Sequence, residues 1–246
     1  MVNLLGTSVV VTISIITSIV KAKSNTYVEV ASSFPPDLST SFLVEVKERQ
    51  CSQSHPCLNQ CNLQPNCFLV CIKDSMCRMY SRWVGEQWSG YNNTDTLHLG
   101  SCFTSWTNQQ RIFPVATNQS GIYMNHYSSE AVSGYLSTPI AFCSITAQMA
   151  NPWWWADLGE SKTVSQVVVH IRRDGYSNSQ FRSVVARLGD SLDAFQNPVF
   201  DSKNGAPATG SVISFTPARP MVGRYLSLQS IVSNDRLTIC NVQILS

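Results

Sequence analysis

Charged side chains are scarce in this 246-residue chain: Asp, Glu, Lys and Arg make up 13% of it, and the net charge is +2. Arg172-Arg173 is the one adjacent basic pair, and Asp174 follows it directly. Nucleic-acid-binding proteins carry a basic patch or stripe, so no nucleic-acid partner is indicated. The sequence also lacks His-Glu-x-x-His, Gly-x-Ser-x-Gly and a Gly-rich phosphate loop. We therefore expect a binding protein rather than an enzyme.

Long hydrophobic runs are limited to one segment, Leu4–Val20, which Gly, Ser and Thr interrupt. It is too short and too polar for a membrane span of about 20 apolar residues. Its length suits the core of a signal peptide cleaved near Ala22. We therefore assign residues 1–22 as a signal peptide and expect a secreted, extracellular protein. A retained membrane anchor is the alternative, because Lys21 and Lys23 follow the run and no Lys or Arg precedes it.

The nine cysteines lack the Cys-x2-Cys pairs that zinc sites use. In an exported chain, cysteines at this density form disulfides. Asn92-Asn-Thr94 and Asn118-Gln-Ser120 are N-glycosylation sequons, which are used in the same compartment. The sequence therefore predicts a disulfide-bonded glycoprotein with candidate glycans on Asn92 and Asn118.

The N-terminal cysteines surround a short helix and a hairpin. Cys57 and Cys61 are four residues apart, which places them on one face of a helix. Phe68–Ile72 and Met76–Tyr80 are apolar runs separated by Lys-Asp-Ser, a pattern typical of a β-hairpin. A helix and a hairpin with this cysteine spacing resemble the PAN/apple family, over Cys57 to Tyr80. The resemblance implies a small disulfide-rich α+β domain at residues 23–106, which could bind a protein partner.

The same resemblance implies a disulfide connectivity. It pairs Cys57 with Cys77, Cys61 with Cys67, and Cys51 with Cys102. Cys71 is then left in the middle of the first hairpin strand, as a buried thiol or as one half of an intermolecular bridge.

Three consecutive tryptophans, Trp153 to Trp155, lie near the centre of the chain. Each ring has a large apolar area that water disfavours, so we expect at least two of them to be buried. Val167, Val169 and Ile171 then fall on one face of a strand at period two. That strand brings Arg172 and Asp174 to a loop at its end, where binding groups are often found.

The C-terminal half predicts several short strands separated by turns rich in Gly, Asn, Pro and Asp, which favours a β-sandwich or jelly roll and a mainly β chain. The predicted strands are Val164–Ile171, Ser183–Leu188, Ser211–Phe215, Arg224–Leu228 and Leu237–Leu245. The last one changes phase near Cys240, which predicts a bulge there. Cys143 and Cys240 are the only cysteines of this half and should pair.

Asn151-Pro-Trp-Trp-x-x-Asp-Leu, followed by a Val/Ile-rich strand and Arg172-x-Asp174, resembles the F-type lectin (fucolectin) family of discoidin-like, galactose-binding β-sandwiches. The resemblance covers roughly Ile112 to Ser246 and implies a carbohydrate-binding domain at residues 110–246, with a Cys143–Cys240 bridge.

The family resemblance also implies a sugar site. It places Arg172, Asp174 and Arg182 there, with Tyr176 available to stack on a sugar face. The position of the family's site histidine is occupied by Ile145, which cannot hydrogen-bond a hydroxyl. The resemblance therefore implies an altered site for which free fucose is a poor ligand.

The resemblance raises calcium as the one cofactor to consider. The family holds it with backbone carbonyls in a loop that corresponds to Tyr135–Phe142. Here Ser133 replaces an Asp before that loop, and Asn241 replaces a Glu after Cys240. These changes weaken two oxygen ligands and leave calcium binding open.

Two functions are consistent with the sequence. The first is a secreted lectin-like protein that recognises glycans on cell surfaces or glycoproteins. The second is an extracellular adhesion or structural protein that binds a protein partner through a decayed lectin domain. Without the resemblance, the residues favour an interpretation of Arg172, Asp174 and Arg182 as ion pairs in a loop at a strand end.

The cysteine distribution predicts that no disulfide joins the two domains. Limited proteolysis near Thr107–Arg111 should therefore release two fragments without reduction. A single band that resolves only after reduction would contradict this division into domains.

Overall fold

The computed structural model describes residues 27–41, 43–48, 54–105, 111–174 and 180–246. The signal segment, Cys51, the sequence between 106 and 110, and Tyr176 lie outside the described residues, and so do the predictions that concern them. Within these ranges, none of the helices is long and apolar enough to cross a membrane.

The N-terminal part is a small antiparallel sheet with two short helices. Its elements are β1 (Val28–Val30), β2 (Ser33–Phe34), α1 (Asp37–Ser41), β3 (Leu43–Glu48), α2 (His55–Asn62), β4 (Leu69–Lys73), β5 (Met76–Tyr80), β6 (Leu97–His98) and β7 (Ser101–Thr104). Five strands form one sheet in the order β1-β7-β4-β5-β3, and β2 pairs with β6. Helix α2 packs on β4 and buries Cys57 and Cys61 on one face, as the spacing predicted.

The predicted hairpin is formed by β4 and β5. Its two turn residues, Asp74 and Ser75, have φ of 52° and 61°. Two left-handed residues in a two-residue turn match the right-handed twist of the flanking strands.

The disulfides of this part include Cys57–Cys77 and Cys61–Cys67, the pairs that the apple resemblance implied. The third is Cys71–Cys102, so the expected Cys51–Cys102 bridge and the thiol at Cys71 are wrong. The physical reason is strand pairing. Cys71 of β4 lies directly opposite Cys102 of β7, with Cα atoms 4.1 Å apart. Cysteine spacing alone carries no information on which strands pair.

The C-terminal part is a two-layered β-sandwich. Its strands are β8 (Arg111–Ile112), β9 (Ala116–Gln119), β10 (Ser144–Ile145), β11 (Trp153–Val164), β12 (Gln166–His170), β13 (Val184–Gly189), β14 (Val199–Lys203), β15 (Val212–Phe215), β16 (Met221–Ser230), β17 (Thr238–Ile239) and β18 (Asn241–Leu245). Short 3₁₀ helices are Ser128–Val132, Ile140–Phe142 and Ala194–Gln196. One layer has the order β14-β13-β16-β11-β9 and the other β15-β12-β18-β8, while β10 pairs with β17. The apolar core lies between the layers.

The tryptophan triplet lies on β11 and alternates between the two faces of its sheet. Trp154 is fully buried in the core, whereas Trp153 and Trp155 point to the outer face and are half-buried. The expectation that at least two would be buried is therefore wrong, because neighbouring residues of a strand face opposite ways.

Strand β11 does not end after the triplet. It passes through a bulge between Asp157 and Lys162, where Gly159 has a φ of 84°. Asp157 accepts two hydrogen bonds from the Arg224 guanidinium, at 2.7 and 2.8 Å, and this interaction lowers the pKa of the carboxyl group. Asp157 is thus a structural acceptor that ties β11 to β16.

The predicted last strand is two strands that belong to different sheets. β17 pairs with β10, and β18 pairs with β12 and β8. The chain passes from one sheet to the other at Cys240. This passage, rather than a bulge within one strand, accounts for the change in phase. Cys240 is bonded to Cys143 at this point.

The two parts are in contact through a buried polar cluster around Asp37. Arg82, with 9% of its side chain exposed, lies 3.0 Å from the Asp37 carboxylate and donates to the carbonyl of Leu136. From the other part, Tyr135 donates its hydroxyl to Asp37 at 2.9 Å, and Ser137 donates at 3.4 Å. Burial raises the pKa of Tyr135 well above its usual value, so the phenol stays a donor.

Apolar packing surrounds this cluster. Tyr135 lies against Phe34 and Trp88 of the N-terminal part, with ring centroids 6.5 and 5.2 Å apart. Among the described residues, no disulfide joins 27–105 to 111–246. Contact between the parts is therefore non-covalent in the described ranges.

We expect Asp37→Asn to lower the free energy of unfolding by about 2–3 kcal/mol, because the buried Arg82 charge loses its carboxylate. Urea denaturation followed by tryptophan fluorescence measures the change. Asp95→Asn, on an exposed loop, is the matched control and should change stability by less than about 0.5 kcal/mol. If both substitutions change the free energy of unfolding equally, the Asp37 cluster does not stabilise the protein more than an exposed carboxylate does.

Candidate binding site at one end of the sandwich

Arg172 lies just beyond the end of β12 and is almost completely buried, with 7% exposed. The preceding residue, Ile171, is anchored in the core, which fixes where the chain leaves the sheet. The Arg172 guanidinium donates to both carboxylate oxygens of Asp174, with Nη2 and Oδ2 2.9 Å apart. This fork-to-fork geometry holds the guanidinium in one orientation.

Gln180 completes the support of Arg172. Its side-chain oxygen accepts from Arg172 Nη1 at 3.3 Å and from the Thr238 hydroxyl at 2.8 Å. The Thr238 backbone N–H also donates to the Gln180 carbonyl at 2.8 Å. Gln180 therefore couples the end of β12 to β17, and sequence reasoning missed it because glutamine in a loop carries no distinctive pattern.

Arg182 has a different partner from Arg172. It lies 3.6 Å from Asp235 and is about half exposed. The structure thus brings Arg172 and Asp174 together, as predicted. Arg182 instead forms an ion pair with Asp235 in the loop before β17. Tyr176, predicted to stack on a sugar, lies outside the described residues.

Ile145 does not line an open pocket. Its side chain is 1% exposed and packs with Cys143, Cys240, Tyr123 and Ile140. The expectation that Ile145 forms part of the lining is wrong, because its position on β10 directs the side chain against the disulfide.

His126 is the second functional candidate that sequence reasoning missed. Its Nδ1 donates to the Cys143 carbonyl at 3.1 Å, which leaves Nε2 as the acceptor of the ring. Burial lowers the pKa of His126, and the charge of the nearby Arg172 lowers it further. The imidazole is therefore neutral at physiological pH.

Backbone pairing explains how His126 reaches this place. The carbonyls of His126 and Ile145 accept hydrogen bonds from Ile145 N and Tyr123 N, at 3.4 and 3.0 Å. His126 is thus the neighbour of Ile145 in space although it is 19 positions earlier in the chain. The sequence held one clue, a histidine between Tyr123 and Tyr127 in an exposed turn.

An aromatic ring and a second guanidinium lie beside the histidine. The rings of Tyr123 and His126 are nearly parallel, with centroids 6.2 Å apart. The Arg236 guanidinium lies over the Tyr123 ring at 4.2 Å. Arg236 follows Asp235, the partner of Arg182, so the loop before β17 brings charge to the same end of the sandwich.

These groups are suited to binding an uncharged polar ligand. The guanidinium of Arg172 is a fixed fork of donors, and neutral His126 is an acceptor. The face of Tyr123 offers apolar contact.

At the Tyr135–Phe142 loop, one backbone oxygen that a calcium ion would need already has a partner. The Leu136 carbonyl accepts from the Arg82 guanidinium, which is also paired with the Asp37 carboxylate. Asn241 is fully buried, and its amide atoms have no hydrogen-bond partner among the described residues, but it supplies one neutral oxygen. Calcium takes six to eight oxygen ligands, with carboxylates prominent. In the described ranges there is no group of three or more His, Cys, Asp or Glu that could hold a metal ion.

If Arg172 and His126 share a site, the charge of Arg172 must affect the titration of His126. We expect Arg172→Met to raise the pKa of His126, because one of the causes that lower it is removed. Titration of the imidazole by NMR measures this. Arg219→Met, an exposed arginine, is the control and should leave the pKa unchanged. If the pKa of His126 is the same in the parent and in Arg172→Met, the two side chains do not share a site.

Comparisons with known proteins agree with this architecture. Residues 130–228 match the profile of the NedA-like, galactose-binding domain. Fucolectin-1 of Anguilla japonica is 30% identical over 104 residues, which are 42% of this chain and 57% of that protein. Fucolectin of Anguilla anguilla is 27% identical over 124 residues, 49% of this chain and 77% of that protein. The chain thus matches little more than half the length of Fucolectin-1.

A solved structure shows the same fold. It is an F-type lectin (fucolectin) from the serum of Morone saxatilis, with a TM-score of 0.51 and 21% identity, covering 69% of this chain and 56% of that chain. The C-terminal part of this protein therefore has the β-sandwich fold of that lectin, and its sequence is similar to fucolectins and to the galactose-binding domain profile.

Proposed function

We propose that this chain is a secreted carbohydrate-binding protein whose sugar site lies around Arg172, Asp174 and His126. The observation that carries the proposal is the Arg172 guanidinium, held by Asp174 and Gln180 beside a neutral histidine. The relatives named fucolectins support a ligand of the same chemical class.

The arrangement suits a sugar because it combines donors, an acceptor and an aromatic face. A hydroxyl of a pyranose accepts from the Arg172 guanidinium, and a further hydroxyl donates to His126 Nε2. The apolar face of the ring then packs on Tyr123. Few charged contacts and a small contact area predict weak binding, with Kd in the millimolar-to-micromolar range, about 4–8 kcal/mol.

The specificity of the site is proposed to differ from that of a fucose site. Ile145 is buried and apolar, so the polar contact at that position is missing. His126 comes from the turn before β10, so its Nε2 acceptor does not lie at the position of the Ile145 side chain. A site built on these residues favours a glycan with an apolar face over free fucose.

The partners that follow are glycans or glycoproteins outside the cell. Four disulfides among the described residues suit an oxidising compartment. The described residues of the site supply binding groups, and the similar proteins are named as lectins, so we propose binding without catalysis. Recognition of a protein partner through a decayed lectin domain is the competing function.

A glycan array probed with the secreted full chain tests the proposal, followed by calorimetric titration of the strongest glycan. We expect Arg172→Ala to lower the affinity about 10–100-fold, because a charged hydrogen-bond donor is lost. His126→Ala should lower it about 2–10-fold, the loss of one neutral hydrogen bond. Arg219→Ala, exposed and distant in sequence, should bind like the parent.

A second variant separates recognition from folding. Arg172→Lys keeps the charge but loses the fork, and we expect it to melt close to the parent and still bind weakly. If Arg172→Ala is folded and binds as well as the parent, the site is elsewhere. If the parent binds no glycan on the array, the protein-binding function replaces the proposal. Ile145→His is a poor test, because it buries an imidazole against the Cys143–Cys240 disulfide.

A further inference from the structure

The outer face of the five-stranded sheet carries a cleft that is separate from the site around Arg172. Its walls are Trp153 and Trp155 on one side and the 192–195 segment on the other, and its volume is about 210 Å³. Leu192 at the rim is 75% exposed. Trp153 meets Phe195 edge-on at 5.5 Å. The cleft therefore exposes aromatic and aliphatic surface that no described element covers.

Hydrogen bonds of the 191–197 segment hold the outer wall of the cleft on the sheet. Asn197 is buried and exchanges two hydrogen bonds with Ser191, at 2.9 and 3.2 Å. Arg187 of β13 donates to the Asn197 carbonyl at 3.0 Å. Trp155 is fixed from the other side by Tyr225, with stacked rings 5.5 Å apart. The segment that covers the sheet is thus tied to it, and the aromatic wall is preformed.

Asn118 also lines this cleft, and it is the asparagine of a glycosylation sequon. It lies on β9 directly opposite Trp155 of β11, so both side chains are on the outer face. Its side chain is exposed, and β9 is the edge strand of the sheet. A glycan on Asn118 has its first sugar beside Trp155 and free space beyond the edge for the rest.

We propose that Asn118 is N-glycosylated and that the first N-acetylglucosamine of this glycan packs in the cleft against Trp155 and Trp153. The sugar ring presents apolar C–H groups to the indoles, and Asp193 at the opposite rim can accept from a hydroxyl. The glycan thereby shields apolar surface that would otherwise contact water.

The covalent step is the ordinary transfer in a secretory compartment. The Asn118 amide nitrogen attacks the anomeric carbon of an oligosaccharide carried on a lipid pyrophosphate. The new C–N bond replaces the C–O bond to phosphate, the lipid pyrophosphate leaves, and the amide gives up one proton. Transfer precedes folding, so it does not conflict with the buried Ser120 hydroxyl, which accepts from Trp153 N at 2.8 Å in the folded chain.

A tethered sugar is favoured over a free ligand for a geometric reason. An attached glycan is present at a high effective concentration, and any free ligand must compete with it. The inference is independent of sugar binding around Arg172, since the two sites share no residue.

The test uses full-length protein secreted from eukaryotic cells. Mass spectrometry should find Asn118 occupied. We expect Asn118→Gln to lower the melting temperature by about 2–4 °C, the shift that one stacking contact gives in a chain of this length. Endoglycosidase trimming to a single N-acetylglucosamine should leave the melting temperature unchanged, because the contact belongs to the first sugar. Asn92→Gln, which removes the other sequon, is the matched control and should shift it by less.

A double-mutant cycle shows whether the effect passes through the cleft. In a Trp155→Ala background, Asn118→Gln should cause no further shift, because the contact is already lost. Trp153→Ala, which removes the other indole of the proposed contact, serves the same purpose if Trp155→Ala does not fold. An unoccupied Asn118 overturns the proposal. So does an equal shift with and without Trp155 or Trp153, since the glycan would then stabilise without entering the cleft.

Discussion

The structure depends on the pairing of β11 with its two neighbours. Strand β11 lies between β16 and β9, and its alternation sends Trp154 into the core and Trp153 and Trp155 to the outer face. Removing a fully buried tryptophan side chain costs about 3–5 kcal/mol in typical cores, so Trp154 fixes the register of the strand. A slip by one residue would exchange the buried and exposed rings. The core, the outer cleft and the opposition of Asn118 to Trp155 all follow from this one register.

A second constraint joins the two parts of the chain. Residues Tyr135 to Ser137 are clamped by Asp37 and Arg82 of the N-terminal part. The clamp holds the loop that leads through residues 138–142 to the Cys143–Cys240 disulfide and hence to the site. Where the family resemblance suggested a metal ion to organise this loop, the described residues supply a guanidinium cation and a carboxylate from the N-terminal part. Order in the loop is thereby linked to the folding of the N-terminal part.

The candidate site illustrates how a binding function is assembled from separate segments. Arg172 comes from the end of β12, Gln180 from the start of the next segment, Thr238 from β17, and His126 from a turn before β10. Each contributes one group of ordinary chemistry. Their effect comes from fixed geometry, because a guanidinium already held by Asp174 pays little further entropy on binding a sugar. The proposed glycan at Asn118 lies on the outer face of the five-stranded sheet, away from the residues around Arg172, so the two sites can be altered independently.

The sequence by itself determined the elements that depend on local pattern. Period-two alternation predicted the strands around Val167 and Val184, two apolar runs separated by Lys-Asp-Ser predicted the β4–β5 hairpin, and the Arg172-x-Asp174 pair was found from the end of one strand. Tertiary structure decided what depends on contacts between distant segments. Cys71 pairs with Cys102 because β4 lies beside β7, and His126 lies beside Ile145 because the two backbones are hydrogen-bonded. Trp153 and Trp155 remain half-exposed because a strand has two faces, and only the packing of the sheets decides which one becomes the core.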